Sequence, residues 1–380
     1  MNREQQYLLK LICASITEQE IDLPKGEFNW EYMFEFAKGQ QLEQFIYPLI
    51  KDKEVEGIMP ELRHKMQQKH GRAVWRDSKQ DMELEEICWL FSEQEIAHIP
   101  LKGSVVKHYY PAPEMRRSGD YDILVHNEDR QRAAQILKEL GYKQKSKGQT
   151  MDDAFEKGTN YLELHVMLDS PNATTYEFLS KVWDYAKVKD GYTYEMQIEF
   201  LYAYLLSHLH RHLTSGGGGI KLITDFVMIK RKVKLDMELL EEYLLKAKVK
   251  NLSVCVDKLI DKWFYGKGEL DQITSMMEQL ILTGGAYNNA DVAEKMKLSR
   301  EVKGDKGKFG GLFARVFPKY GHMSIRYPIL NRHKWLLPVM WVIRLLDFRC
   351  YRPLQVLRAL KRVDDDTVSV LNDFESFISK

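Results

Sequence analysis

Two aspartates one residue apart, Asp120 and Asp122, head the apolar run DYDILV. Strands are usually depleted in aspartate, which prefers turns and caps. On an extended strand, residues i and i+2 point to one face, with Cα atoms about 6.6 Å apart. Two bare carboxylates at that spacing repel each other unless a cation lies between them. Hard divalent cations such as Mg²⁺ (or Mn²⁺) take oxygen ligands and leave room for phosphate oxygens. DYDILV therefore has the chemistry of a metal–nucleotide site. A later strand, NYLELHVML, offers a third carboxylate, Glu163. Its alternation predicts Tyr161, Glu163, His165 and Met167 on one face, with Leu162, Leu164, Val166 and Leu168 on the other.

The segment LKGS, Leu101 to Ser104, places a glycine and a hydroxyl just after a short apolar stretch. Glycine lets backbone approach a phosphate closely, and backbone N–H groups can then cradle it. Arg116 and Arg117 lie just before the aspartates, and guanidinium matches phosphate oxygens geometrically. Each piece alone is a weak signal. The order carries the information: glycine-serine, a loop, two aspartates on a strand, a helix, then a glutamate on a later strand.

These residues need elements to hold them. Residues 1–95 read as helical, with apolar positions three or four apart in QQYLLKLICASI and MELEEICWLFSEQEI. The middle, 96–192, reads as mixed α/β, with a short apolar segment, IPLKGSVV, broken by Lys102 and Gly103, and strands in DYDILV and NYLELHVML. Between them NEDRQRAAQILKELGY reads as a helix capped by Asn127 and stopped at Gly141. Residues 193–380 return to helix, through EMQIEFLYAYLLSHLHRHL, a flexible turn at Gly216 to Gly219, and IKLITDFVMIKRK. GDKGKFGGLF reads as a mobile loop whose lysines are either solvated or bind an anionic partner, the solvated loop being favoured. Lys and Arg total 56 against 55 Asp and Glu, so no global field draws the chain to a long nucleic acid or a membrane. The four cysteines, Cys13, Cys88, Cys255 and Cys350, form no CxxC pair, which suits a reducing compartment. The N-terminus has acidic flanks and only a short apolar run, and WLLPVMWVIRLL is shorter than the roughly 20 residues that span a bilayer. The expectation is a soluble, cytoplasmic protein.

PLKGSVVKHYYPAPEMRRSGDYDILV, a helix ending in LGY, and then LELHVML together resemble the uncharacterised nucleotidyltransferase family of the DNA-polymerase-β-like superfamily. The resemblance is dense over about residues 97–168. It implies an α+β fold: a minimal nucleotidyltransferase core with a small mixed sheet, flanked by N- and C-terminal helical regions. It implies that Asp120, Asp122 and Glu163 are the catalytic carboxylates and hold two divalent metals. Lys102, Gly103, Ser104, Arg116 and Arg117 would then contact the nucleotide. The implied reaction is transfer of a nucleoside monophosphate from an NTP to a hydroxyl acceptor, with release of pyrophosphate. Two departures stand out. The loop from Ser104 to Asp120 is long, and the third carboxylate is Glu rather than Asp.

Several residues keep two readings. His208 and His212 share a helix face at i, i+4, either as surface histidines or as groups approaching the nucleotide from the helical region; no HExxH zinc motif is present. Asp225 either pairs with Lys221 at i−4 or lines the cleft. His165 either orients Glu163 or is a structural histidine. Tyr109 and Tyr110 either stack on a base or pack locally. The acceptor is open among a small molecule, a peptide, a protein and an RNA end. Two rival functions are a toxin-like transferase acting on tRNA or protein, and a silent nucleotide-binding or scaffold protein.

Overall fold

The computed structural model describes residues 1–147, 151–215, 217–285, 329–346 and 365–379, with positions 317, 320, 323, 324 and 327. Gly216, GDKGKFGGLF, Cys350 and most of the 317–328 stretch lie outside the described residues. Four helices come first: α1 (Arg3–Thr17), α2 (Trp30–Gly39), α3 (Ile46–Ile50) and the 34-residue α4 (Pro60–Glu93). Asn2 and Gln5 form a reciprocal capping box that starts α1. Pro60 opens α4, where its missing N–H costs no helix hydrogen bond.

The α/β region then runs β1 (His98–Pro100), α5 (Gly103–Val106), β2 (Asp120–Val125), α6 (Arg130–Glu139), β3 (Lys143–Lys147), β4 (Asp152–Lys157), β5 (Asn160–His165), α7 (Tyr176–Leu179), β6 (Ala186–Asp190) and β7 (Thr193–Met196). Five longer helices follow: α8 (Ile198–Thr214), α9 (Ile220–Lys232), α10 (Met237–Lys246), α11 (Lys250–Tyr265) and α12 (Gln272–Gly284). The last described ones are α13 (Ile329–Arg332), α14 (Leu337–Leu346) and α15 (Asp365–Ile378). The chain is a mixed α/β protein, as expected. Among the described residues no helix is long and apolar enough to cross a membrane.

One seven-stranded mixed sheet has the order β3-β4-β5-β2-β1-β7-β6. β2 is central, parallel to β5 and antiparallel to β1. Its side chains alternate between two buried clusters. Tyr121, Ile123 and Val125 pack with Leu84, Ile87 and Phe91 of α4 and with Ala133 and Leu137 of α6. Leu124, on the opposite face, joins the larger cluster built with α1, α8, α9 and α11. That larger cluster draws residues from the N-terminal helices, the sheet and the C-terminal helices alike.

Three details correct the sequence reading. β5 ends at His165, so Leu168 leaves the alternation and packs in the larger cluster, not with Leu162 and Leu164. Asn127 does not cap α6: a 3₁₀ turn, Asn127–Asp129, precedes it, and Asp129 makes no side-chain cap bond. The hairpins β3–β4 and β6–β7 were not expected. β3 is KQKSK, and all but the first residue of β6 are exposed; both are outer strands of the sheet. Edge strands rich in lysine lack the apolar alternation that betrays an inner strand.

Candidate active site

The parallel register of β2 and β5 sets Asp122 beside Glu163, Asp120 beside Tyr161 and Leu124 beside His165. Parallel neighbours share a face, so Asp120, Asp122, Glu163 and His165 all project on the side of α8 and α9. Ligand atoms of Asp122, Glu163 and His165 lie within 4.8 Å of one another. Two carboxylates and an imidazole thus converge from residues 41 and 43 positions apart in sequence.

A cation already sits among them. Lys102 Nζ donates to Asp122 Oδ1 at 2.6 Å and lies 3.9 Å from Glu163 Oε2. His165 Nε2 is 2.8 Å from the same Asp122 oxygen and 3.3 Å from Glu163 Oε2, while its buried Nδ1 has no hydrogen-bond partner among the described residues. Burial works against the Asp122 charge, but the Lys102 ammonium and the His165 bond outweigh it and hold the carboxyl below its usual range. Burial pushes Asp120 the other way, helped by the neighbouring Asp122 and Glu163 charges. Two carboxylates driven apart in this manner are what a shared cation relieves. For His165, burial favours the neutral ring, yet the bonds to Asp122 and Glu163 raise its pKa overall.

Backbone geometry brings Lys102 there. Lys102 follows β1 with φ +48, a conformation that costs a non-glycine residue of the order of 1–3 kcal/mol and is typical of functional positions. Gly103 next to it leaves no free room for a side chain unless Ser118 shifts. A Cβ there would stand 2.6 Å from Ser118 Oγ and 3.1 Å from Arg116 Nη1.

Asp120 and Asp122 open into a cavity of about 200 Å³, whose lining does not include Glu163 or His165. Lys102, Gly103, Arg116, Asp120 and Asp122 line it from the sheet side, and His208 and His212 from α8. Arg211 donates to His208 Nδ1 at 3.2 Å, which leaves the His208 proton on Nε2, directed at His212 Nε2 3.1 Å away. Burial, followed by the Lys102 charge, keeps His208 well below its usual pKa, so it is neutral at pH 7.

Ser104 and Arg117, grouped with the nucleotide on the sequence, stand outside this cavity. Ser104 lines a separate one of about 410 Å³ together with His108 and Tyr109. Arg117 reaches Glu43 Oε1 at 3.2 Å and lines a third cavity. Arg116 is near the site but committed elsewhere: its Nε and Nη2 donate to Asp225 Oδ1 and Oδ2, both at 2.8 Å. Tyr110 Oη donates to the same carboxylate at 2.7 Å. Asp225 therefore follows neither sequence reading. It makes no ion pair with Lys221 and lies outside the cavity lining; it clamps Arg116 and Tyr110 from α9. Tyr110 is buried in that clamp, away from any base-stacking position. Burial opposes the Arg116 charge, but Asp225 more than compensates.

Three residues were not foreseen. Lys221 lines the cavity, donating to Gln41 Oε1 and to the Arg117 carbonyl. Burial, with Arg116 close by, lowers its pKa to about 7. Gln41 lines the cavity too, with φ +57. Tyr204 lies one turn before His208 on α8; its buried hydroxyl has no partner among the described residues, and burial raises its pKa to about 12. The sequence signal for Lys221 was present, a lysine inside the apolar run IKLITDF, but the nearby Asp225 suggested a local pair instead.

A family model described as Uncharacterised nucleotidyltransferase matches residues 26–265 of the chain. That span takes in most of the N-terminal helices, the whole sheet and α8 to α11. No curated protein and no solved structure matches the chain.

Proposed function

The chain belongs to the uncharacterised nucleotidyltransferase family, and on that premise we propose that it transfers a nucleoside monophosphate from an NTP to a hydroxyl acceptor. One observation carries the reading: Asp122 and Glu163 are register partners on adjacent parallel strands, with Asp120 two residues earlier on the same face. The carboxylate oxygens of Asp122 and Glu163 fit Mg²⁺ or Mn²⁺, with the His165 imidazole a third potential ligand of the same group, and the Lys102 ammonium bound there is in keeping with a site that attracts positive charge. Asp120, Asp122 and Glu163 would hold the divalent ions, two in number by the family's logic. When bound, such ions supply positive charge for the attacking and leaving oxygens of an in-line displacement.

The chain's own residues do the remainder. Lys102, the Gly103 backbone and Lys221 give the triphosphate two cations and a close approach. Glu163, whose side chain is 37% exposed, is the carboxylate most open to an acceptor hydroxyl and can take its proton. The oxygen of that hydroxyl bonds to the α-phosphorus, the bond to the bridging oxygen breaks, and pyrophosphate leaves with its electron pair. Arg116, pinned by Asp225, holds the turn that leads into Asp120.

A second reading, nucleotide binding without turnover, is favoured by Lys102 already neutralising Asp122 and Glu163. Incubation with each α-labelled NTP and Mg²⁺ or Mn²⁺, in a lysate fraction that supplies acceptors, separates the two. Label transfer with pyrophosphate release, lost in Asp120→Asn/Asp122→Asn, supports transfer. Tight NTP binding with no pyrophosphate release supports the second reading. Transfer undiminished in the double variant refutes the proposed site.

A further inference from the structure

The third cavity, of about 160 Å³, adjoins the carboxylate cavity and has its own set of basic side chains. Lys69, Arg72 and Arg76 project into it from one face of α4, at spacings of three and four residues. Like charges so placed destabilise a helix by a few tenths of a kcal/mol per pair. None of the three makes an ion pair or hydrogen bond among the described residues. Of the three acids in the lining, Asp77 accepts from Lys107 at 2.8 Å and Glu43 from Arg117 at 3.2 Å, while Glu114 lies within the same lining without pairing to Lys69, Arg72 or Arg76. Three cations with no assigned anion remain, two of them guanidiniums, whose planar fork matches phosphate oxygens.

The floor of the cavity adds an independent sign. Glu43 and Gln44 are both almost fully buried, and Glu43 Oε2 and Gln44 Oε1 have no hydrogen-bond partner among the described residues. Buried acceptors are rarely left without a donor, and hydroxyl groups are donors. The wall between the two cavities is thin. Ser118 lines both, and its Oγ donates to the Asp120 carbonyl at 2.9 Å. Ser118 is two residues from Asp120, roughly 7 Å of extended chain.

Resting on the transferase reading above, we infer that this cavity is the acceptor subsite and that the acceptor is a small polyol bearing a phosphate monoester. Its phosphate lies against Arg72, Arg76 and Lys69, its hydroxyls face Glu43 and Gln44, and one hydroxyl extends past Ser118 to the carboxylates. The triphosphate has its own cations, Lys102 and Lys221, in the other cavity, so those of α4 are surplus to it.

The test is calorimetric titration of the full chain with ribose 5-phosphate, with ribose and inorganic phosphate as controls, and separately with Mg–ATP and Mg–GTP. It compares wild type with Arg72→Ala/Arg76→Ala, whose positions are exposed and outside the core. The inference expects ribose 5-phosphate to bind wild type more tightly than either control, and at least tenfold more weakly to the variant, with Mg–NTP affinity retained. Equal binding of ribose 5-phosphate to both proteins, or none to wild type, overturns it. Parallel loss of Mg–NTP affinity also overturns it, by giving these arginines to the triphosphate. A wild type that binds no Mg–NTP at all fails the transferase reading instead, and is distinguishable because ribose 5-phosphate is titrated separately.

Discussion

Asp225 is expected to matter for stability through Arg116. The two residues are 1% and 4% exposed and meet through two parallel 2.8 Å bonds, so neither charge has solvent to fall back on. Removing one partner of such a pair strands the other, at a cost of about 3–5 kcal/mol. Asp225→Leu and Arg116→Met should each show that loss. Replacing both removes the stranded charge and leaves chiefly Tyr110 Oη without its acceptor, a cost of about 1–3 kcal/mol. The double variant should therefore be more stable than either single one. Urea unfolding of the four proteins, followed by tryptophan fluorescence, measures the cycle. Single losses below about 1 kcal/mol, or losses that add in the double variant, would refute the clamp and return Arg116 to the ligands of the nucleotide.

Further outcomes follow from the same geometry. Gly103→Ala should abolish Mg–NTP binding while leaving the fold intact by circular dichroism, and adding Ser118→Gly should restore part of it, because the nearest clash is with that side chain. Lys102→Met should lower the melting temperature in EDTA, and Mg²⁺ should raise the variant's melting temperature more than the wild type's; equal Mg²⁺ effects would argue against a shared cation position. Lys221 has a folded pKa near 7 against 10.5 unfolded, so between those values the unfolded chain binds the extra proton. Stability should accordingly rise as pH increases from about 7 towards 10.5 and be lost on the way down, and Lys221→Met should flatten that slope in urea titrations.

The central strands were legible because inner strands advertise themselves. β2 and β5 alternate apolar residues with a few polar ones, and both exist where they were expected, with Asp120, Asp122 and Glu163 on one face, although β5 stops at His165, three residues short of the expected run. α8 and α9 were legible for the same reason of periodicity, and His208 and His212 do face the cavity. What local pattern could not carry was partnership at long range. Arg116 meets a carboxylate 109 positions away, and Lys221 meets Gln41 at 180, so each was given a nearer role. Gly103 and Ser104 are consecutive residues of α5, yet the Gly103 backbone lines one cavity and Ser104 another, which a four-letter motif does not encode.

The central place of β2 has a consequence for how this chain can change in length. Its alternation separates the cavity, on the side of Asp120 and Asp122, from the apolar layer that holds Tyr121, Ile123 and Val125. Adding or deleting a single residue between Gly119 and Val125 would exchange the two sides, driving carboxylates under α4 and α6 and tyrosine into the cavity. The outer strands β3 and β6 have no such two-sided duty. Length variation among natural or selected variants should thus gather at the rims of the sheet and spare its middle, so that the site is guarded by the arithmetic of odd and even positions as much as by the identity of its acids.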